Sequence, residues 1–532
     1  MVHRCLLVPE ILGLVCEVLR GDWTTGPLNE RLATLAALAR TCRAFEGPTL
    51  DFLWREVSGL RPLLCTMPSD LFKMEEKVWY FLGGKENVLC LRRAILPSDL
   101  TRFPSYAHRI RKIQIDARSL VDVEVIQALT VATLHMRPLL PNIKHLVWHY
   151  GNIGKEVERS LLQCIYLFFA PKLATLNIFL RNTFDTTCLT IFSDLIKCCP
   201  ALKDLTFLIH SFNFSENNRR GFSSVICQWN TLRSLAVIDL TQEALEHLAT
   251  IPCLQRLSFT SLKGATRGCD QRLPIVTRNP AGGYPALRFL SISCSAMEVA
   301  IAFAQLLSSS PVEDLHISVV DHCYPPQWRE LFNTISCHID HISLQNLRLK
   351  ETRLNLDQES EWSNLEVGLE ALAVFSDLQN VNVQPSLGIM LTSDTANRLA
   401  AAWPHIERLE LGNLCSSFKP LSLIIEDLVP FAKYCPKLWF LGIVFDARDI
   451  QLTSPRPSRS LFSNTLTSLS VGDSPIESPA LVAAFLSGLF PSIDSITFDC
   501  DWRDPGGDPE EATDDGKMWD EVERLLKISS KV

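Results

Sequence analysis

Apolar residues recur at fixed offsets from Ile110 to Ile493, and most of the clusters follow a proline. A unit is a proline, an apolar residue two positions later, and further apolar residues three and five positions beyond that, as in Pro141, Ile143, Leu146 and Trp148. Alternation at the end of a unit predicts a short strand with one buried face. The first apolar residues of the fourteen units are Ile110, Ile143, Leu173, Leu202, Leu232, Leu254, Leu287, Val312, Ile339, Leu378, Ile406, Leu438, Leu466 and Ile493.

The average spacing of these units is about 29 residues, which is typical of leucine-rich repeats. Helix-like segments lie between the predicted strands, for example at residues 189–198 and 299–307. The sequence therefore predicts an α/β fold, a leucine-rich-repeat solenoid of horseshoe form, in which no single unit is stable alone. The alternative is an ordinary α/β domain with parallel strands. The spacing argues against it, as does the lack of a glycine-rich phosphate turn after an early strand.

Composition limits the classes of partner. The chain has 532 residues, a net charge of -8 and a pI near 5.9, which disfavours a dominant nucleic-acid or anionic-membrane surface. The short basic run His108, Arg109, Arg111, Lys112 is interpreted as a solvated edge of the first repeat. Eighteen scattered cysteines without a C-x-x-C pair predict reduced thiols. Carboxylates interrupt the apolar N-terminal stretch, so we expect a cytoplasmic or nuclear protein.

Motifs for catalysis are missing from the sequence. We find no nucleophile elbow, no phosphate-binding glycine loop and no H-E-x-x-H pair. Cys337, His338, Asp340 and His341 are the densest set of possible metal ligands, but a strand would point His341 away from its neighbours. The sequence thus predicts a protein without enzymatic activity, cofactor or metal.

Residues 5–54 do not follow the repeat and predict three helices. Pro9 and Glu10 suit the start of the first helix, and Gly21 can stop it. The second helix is predicted over residues 29–42 and the third from Gly47 and Pro48 onward. About fifty residues cannot enclose all of this apolar surface, so part of it should face a partner helix or the adjoining solenoid.

This module resembles an F-box. Its opening Leu-Pro-x-Glu-Ile/Leu-Leu core is matched at residues 7–12, a second block at residues 38–45 and the closing Leu-Trp pair at Leu53 and Trp54. With the repeats behind it, the chain resembles the F-box/leucine-rich-repeat proteins that are numerous in basidiomycete fungi, and residues 60–109 are similar to their connecting region. Residues 21–30 depart from a minimal F-box by lengthening the gap between the first two helices.

The resemblance implies a substrate-recognition adaptor of a cullin-type (SCF) ubiquitin ligase, with a Skp-type adaptor on the module and a protein substrate on the repeats. The expected adaptor-binding residues are Leu7, Pro9, Ile11, Leu12, Leu38 and Trp54. Some of them could instead pack against the first repeat. A second hypothesis is a leucine-rich-repeat scaffold without a ligase link, in which the module only caps the array.

Strand residues between the apolar anchors should face the concave side of the solenoid and form the candidate substrate surface. The expected contributors to substrate binding are Arg256, Phe289, His316, His341, Arg408 and Phe440. The predicted divisions are an F-box-like domain at 1–56, a connecting helical segment at 57–105, the solenoid at 106–500, and an acidic loop with a capping helix at 501–532.

Overall fold

The structure is a computed structural model. It describes residues 8–21, 28–79, 84–116, 120–149, 155–181, 184, 186–209, 215–261, 283–307, 310–352, 368–386, 388–412, 421–450, 465–498 and 514–529. The chain divides into two compact units, Met1–Ala244 and Leu245–Val532, which we call the first and the second unit.

Three helices open the first unit: α1 (Pro9–Arg20), α2 (Leu28–Ala39) and α3 (Arg43–Leu53). Proline stands at the first position of α1, and Gly21, with a φ of 59°, ends it. Leu12, Cys16, Leu35 and Phe45 form the core of this helical module. The third helix begins four residues before Gly47, the position at which the sequence predicted its start.

The segment after the module contains strands as well as helices, so its prediction as a helical connection was wrong. It holds β1 (Glu56–Ser58), α4 (Arg61–Leu64), β2 (Phe72–Trp79), β3 (Gly84–Leu91) and α5 (Phe103–Ala107). Strands β2 and β3 form an antiparallel hairpin. Apolar and charged residues alternate only over residues 72–75 of β2, and Met74 is exposed while Lys73, Glu75 and Lys77 are partly buried.

Parallel strands and helices alternate through the rest of the first unit. The elements are β4 (Lys112–Asp116), α6 (Val123–Ala132), β5 (His145–His149), α7 (Lys155–Gln163), β6 (Thr175–Leu180), α8 (Thr186–Cys198), β7 (Asp204–Ile209), α9 (Glu216–Ile226), β8 (Ser234–Val237) and α10 (Gln242–Ala249), whose last five residues belong to the second unit. The strands pair in the order β1, β4, β5, β6, β7, β8, and every pair is parallel.

The second unit repeats this arrangement. Its elements are β9 (Arg256–Ser261), β10 (Phe289–Cys294), α11 (Met297–Gln305), β11 (Asp314–Val319), α12 (Pro325–His338), β12 (Asn346–Glu351), β13 (Asn380–Gln384), α13 (Ser393–Ala402), β14 (Arg408–Leu411), α14 (Val429–Tyr434), β15 (Phe440–Ile443), β16 (Ser468–Gly472), α15 (Pro479–Leu489), β17 (Ser495–Phe498) and α16 (Asp514–Ser529). Strands β9 to β17 pair in sequence order, again in parallel.

Each unit is therefore an α/β repeat array of the solenoid type. Thirteen of the fourteen predicted unit starts lie two residues before one of the strands β4 to β17. The exception is Ile339, which caps the C-terminus of α12, whereas the residue two positions before β12 is Leu344. The predicted strand was misplaced because Ile342 follows Ile339 at the spacing expected of a repeat, although the side chain of Ile342 is exposed. Among the described residues, no helix is long and apolar enough to cross a membrane.

Helix α16 covers the last strand of the second unit. Trp519, Val522 and Leu526 are buried on its inner side, as the apolar spacing of this segment requires. The indole Nε1 of Trp519 donates to the carbonyl oxygen of Ser474 at 2.8 Å. The backbone N–H of Ile496 on β17 donates to Glu523 Oε2 at 2.7 Å, so α16 also supplies an acceptor to the outer strand.

Candidate functional site

In β10 to β12, and over residues 256–260 of β9, every second residue is partly or fully exposed, while the residues between them are buried. In β14 to β16 the first residue is partly exposed and the rest of each strand is buried. Because the parallel strands are in register, the partly exposed side chains line up in rows across the sheet. We call this surface the open face. It carries five of the six residues that the sequence proposed for substrate binding.

Three of these five form one cluster on neighbouring strands β9, β10 and β11. The guanidinium carbon of Arg256 lies 4.5 Å from the ring centroid of Phe289. The His316 ring meets the same phenyl ring edge-on, with centroids 5.2 Å apart. Burial, with a smaller contribution from the charge of Arg348, lowers the pKa of His316 below its ordinary value. The cluster thus presents a cation stacked on an aromatic ring beside a neutral imidazole.

A second cluster lies on β14 and β15. The guanidinium of Arg408 sits 3.9 Å above the Phe440 ring and 5.4 Å from the ring of Trp439, which directly precedes β15. Arg408 Nε also donates to Glu410 Oε1 at 2.7 Å, which fixes the plane of the guanidinium. Arginine and large aromatic side chains are the residue types that most often dominate affinity in protein interfaces.

Amide side chains connect the strands between the two clusters. Asn380 Nδ2 donates to Asn346 Oδ1 at 2.6 Å, and Asn346 Nδ2 donates in turn to Asp314 Oδ1. This ladder follows one in-register row from β11 to β13. It orders the middle of the open face and leaves Arg348, on the next row of β12, exposed.

His341 does not belong to the open face, so its assignment there was wrong. It lies in the turn after α12, five residues before β12 begins. Its Nε2 is 2.7 Å from the carbonyl oxygen of Ser336, and its ring meets Phe375 edge-on. The cause is the register error at Ile339, which shifted the predicted strand toward the N-terminus.

A buried carboxylate ties together the chain segments that follow β11 and β13. Glu351, the last residue of β12, has a fully buried side chain. Its Oε1 accepts from the backbone N–H of Cys323 at 3.1 Å and from the hydroxyl of Ser386 at 2.6 Å, and its Oε2 accepts from the backbone N–H of Ser386 at 3.0 Å. His322 Nδ1 lies 2.9 Å from Oε1. Sequence reasoning missed this group, whose partners are 28 to 35 residues away.

The partly exposed strand residues of the first unit form a corresponding open face with a different chemistry. Lys112 and His145 are opposite each other on β4 and β5. His149 on β5 meets Phe179 on β6 edge-on at 5.6 Å between ring centroids. Burial, followed by the charge of Lys112, lowers the pKa of His145. This face is therefore aromatic and imidazole-rich at one row and basic at another.

The residues proposed for adaptor binding lie in different environments, some in the core of the helical module and some on its surface. Leu12 is only 3% exposed and belongs to the core of the helical module, so its assignment to a partner surface was wrong. Leu38 packs partly buried against that core. Trp54 lies 4.8 Å from the ring of Tyr106, beside α5. Pro9 and Ile11 are exposed on α1, and Leu7 lies outside the described residues.

Three apolar residues form an exposed stripe along α1. Ile11, Leu14 and Val18 are 38%, 63% and 78% exposed, and their spacing places them on adjoining turns of one helix side. The opposite side of α1 supplies Leu12 and Cys16 to the core. We call Ile11, Leu14 and Val18 the α1 stripe. Sequence reasoning found Ile11 but not Leu14.

Ligands of a metal site are not grouped in the described part of the chain, where no set of three or more histidine, cysteine or carboxylate side chains is placed to hold an ion. The cysteines that the structure describes are free thiols. Burial raises the pKa of Cys199 and of Cys435 to about 12. Both are therefore protonated and unreactive at neutral pH.

Comparisons with known proteins give structural neighbours of low similarity. No protein-family model matches the sequence, and no curated protein matches it. The crystal structure of the Rad7 and Elc1 complex in yeast is similar with 14% identity and a TM-score of 0.39, covering 96% of this chain and 91% of that chain. The TLR13–ssRNA13 complex is similar with 13% identity and a TM-score of 0.28, covering 77% of this chain and 55% of that chain. Both TM-scores are below 0.5, so neither likeness carries weight for this chain.

Proposed function

We propose that this chain is the substrate-recognition subunit of a cullin-type (SCF) ubiquitin ligase, with the helical module as an F-box-like domain. The α1 stripe is the observation that carries the proposal. A helix that buries one side in its own module and exposes Ile11, Leu14 and Val18 on another has an apolar surface that a partner helix can cover. A Skp-type adaptor is the partner that the sequence resemblance implies.

The open face would hold the substrate in this proposal. Its two arginine–aromatic clusters, Arg256 with Phe289 and Arg408 with Phe440, are the anchors we assign to substrate contact. The chain itself makes and breaks no bond. It raises the effective concentration of a substrate lysine near the conjugating enzyme, in the cytoplasm or the nucleus.

The experiment is co-purification of the full chain with a Skp-type adaptor, using Val18→Asp as the test variant. Placing a carboxylate in the α1 stripe should lower the adaptor affinity by about 100-fold, because a buried unpaired charge in an interface costs several kcal/mol. Val131→Asp is the matched control. Val131 is also an exposed helical valine, at 69%, and lies on α6 outside the module.

Equal adaptor binding by wild type and Val18→Asp would remove the proposal. So would equal loss in both variants, because the effect would then come from added charge rather than from the stripe. The melting temperatures of the two variants show whether either substitution unfolds the chain.

A second function, a binding scaffold without a ligase link, is favoured by the contacts of α3. Arg109 donates to the carbonyl oxygen of Gly47 at 3.0 Å and also pairs with Asp51. The rings of Trp54 and Tyr106 are in tilted contact, with centroids 4.8 Å apart, and β1 follows α3 directly to pair with β4. The module could thus close the first edge of the sheet. Deleting residues 1–54 should unfold or aggregate the first unit under this reading and leave it folded under the ligase proposal.

A further inference from the structure

The residue immediately before each strand is basic almost throughout the first unit. These residues precede β1, β4, β5, β6, β7 and β8, respectively: Arg55, Arg111, Lys144, Ala174, Lys203 and Arg233. Ala174 is the one interruption. The five cations are spread over 179 residues of sequence, so they form no basic run that could be seen in the chain.

A continuous backbone ladder brings these positions into single file. The N–H of Arg111 donates to the carbonyl oxygen of Arg55 at 2.8 Å, and that of Lys144 donates to Arg111 at 2.7 Å. Ala174 and Lys203 continue the ladder at 2.9 Å each, and Arg233 closes it at 2.7 Å. Neighbouring strands are about 4.8 Å apart, so the row is about 24 Å long. We call it the basic edge.

The charges of the basic edge are not neutralised within the described part of the chain. No carboxylate there forms an ion pair with Arg55, Arg111, Lys144, Lys203 or Arg233. Arg111 instead donates to the carbonyl oxygen of His108 at 2.7 Å, which holds its guanidinium without cancelling its charge. The other four side chains are exposed. A row of free cations stands out in a chain whose net charge is -8.

The basic edge begins in a depression of about 440 Å³. Its lining residues are Asp51, Phe52, Arg55, Glu56, Arg109, Arg111, Lys112, Lys144 and His145. Arg109 is paired with Asp51, and Lys112 Nζ lies 3.7 Å from Glu56. Three cations remain without a carboxylate: Arg55, Arg111 and Lys144. Cations thus outnumber carboxylates among the residues that line the depression, five to two.

We propose that the basic edge binds an extended, Asp- and Glu-rich segment of a partner protein. Cations in single file suit an extended chain, in which side chains on one side recur about every 6.6 Å, within the reach of flexible Lys and Arg side chains. Single-stranded nucleic acid is the weaker match. Sites for single-stranded nucleic acid combine a basic groove with several aromatic rings on which the bases stack. Among the residues that line the depression, Phe52 is the one phenyl ring. The residues of the basic edge are not those of the α1 stripe, so the proposal does not depend on adaptor binding.

The experiment measures binding of a short fluorescent peptide of alternating Glu and Ser to the full chain by anisotropy at low ionic strength. The double variant Lys144→Ala/Lys203→Ala should bind the peptide about tenfold more weakly than wild type. The matched control is Lys155→Ala/Lys437→Ala, which removes the same two charges from exposed positions off the edge. The control should bind as wild type does, and added salt should weaken wild type more than the edge variant.

Equal weakening in the edge and control variants would overturn the proposal, because net charge alone would then explain the binding. Equal affinity for a Gln/Ser peptide would also overturn it. So would tighter binding of a single-stranded RNA of the same charge that is lost in the edge variant, since the partner would then be nucleic acid. If the edge variant unfolds, Arg55→Gln/Arg233→Gln tests the same row at its two ends.

Discussion

Both units have the same backbone hydrogen-bond ladder at the residues that immediately precede their strands. The charges of those residues differ between the two units. In the second unit the residues before β9 to β17 are, in order, Gln255, Arg288, Glu313, Gln345, Gln379, Glu407, Trp439, Thr467 and Asp494. The same N–H to carbonyl ladder joins them, with N···O distances of 2.7 to 3.0 Å. Arg288, the one cation among them, is paired with Glu313. At the position before a strand, the backbone hydrogen bond is thus the same in both units, while the type of side chain varies.

The open faces of the two units also differ in their side-chain chemistry. Among the described residues, arginine lies over an aromatic ring in the second unit, at Arg256 and Arg408. The first unit places His149 against Phe179 instead. Buried positions that form the core must stay apolar in every repeat, so chemical differences between the units collect on the edge and the open face. The same repeat scheme therefore carries two chemically distinct surfaces.

The largest expected effect is a loss of stability on disrupting α16, the helix that covers the last strand of the second unit. Trp519→Ala should destabilise the second unit by about 3–5 kcal/mol, because it empties a buried indole site and leaves the carbonyl of Ser474 without its donor. Hydrogen exchange should accelerate in β16 and β17 and stay unchanged in β4 to β8. Trp439→Ala, at a partly exposed indole, is the control and should leave exchange in β16 and β17 near wild type. A uniform acceleration in both units would show that they do not unfold independently.

A smaller effect should follow from moving the charge pattern of one unit onto the other. Glu313→Lys adds a cation before β11 and releases Arg288 from its ion pair. In the chain that carries Lys144→Ala and Lys203→Ala, this substitution should restore acidic-peptide binding by about threefold. Glu86→Lys, the same charge change on the β3 hairpin strand, is the control. No recovery with Glu313→Lys would mean that the position before a strand is not sufficient for binding.

The smallest expected effect is on the pKa values of two histidines, one in each unit. The pKa of His145 in the first unit and of His316 in the second are both lowered, chiefly by burial and then by Lys112 and Arg348, respectively. Removing the charge with Lys112→Ala should raise the pKa of His145 and leave that of His316 unchanged, and Arg348→Ala should do the reverse. Titration of labelled imidazole resonances measures both. A shift of both histidines in either variant would contradict local charge as the cause.

The same shifts set the sign of the pH dependence of folding. Below the ordinary histidine pKa of about 6.5, the unfolded chain takes up protons at these two sites before the folded chain does. Their contribution to stability is therefore complete above that pH and is lost as the pH falls below it. Replacing both histidines by Gln should flatten the dependence of the urea midpoint on pH in this range.

Sequence alone located the repeats because their buried residues follow a strict order, and thirteen starts stand at one fixed distance from their strands. It misplaced β12 because the end of α12 and the turn after it carry two isoleucines, Ile339 and Ile342, at the spacing expected of a strand. It missed β1, which has three residues and gains its stability from pairing with β4. Short strands of this kind depend on tertiary pairing rather than on local pattern.

The binding surfaces were harder to predict than the fold. The open-face residues followed from alternation, and five of six lie where expected. Leu12 failed because the inner and outer sides of an amphipathic helix use the same residue types. The basic edge could have been found by comparing the residue before each strand across repeats, a comparison that needs the strand boundaries first.

The hydrogen bond from Ile496 to Glu523 has a further consequence at the last strand. An outer strand of a parallel sheet offers unpaired amides to any extended chain, including another copy of itself. Because α16 occupies one of these donors and packs against β17, we expect it to hinder strand-by-strand association of chains. A chain that lacks residues 514–529 should accordingly join its neighbours end to end rather than merely lose stability.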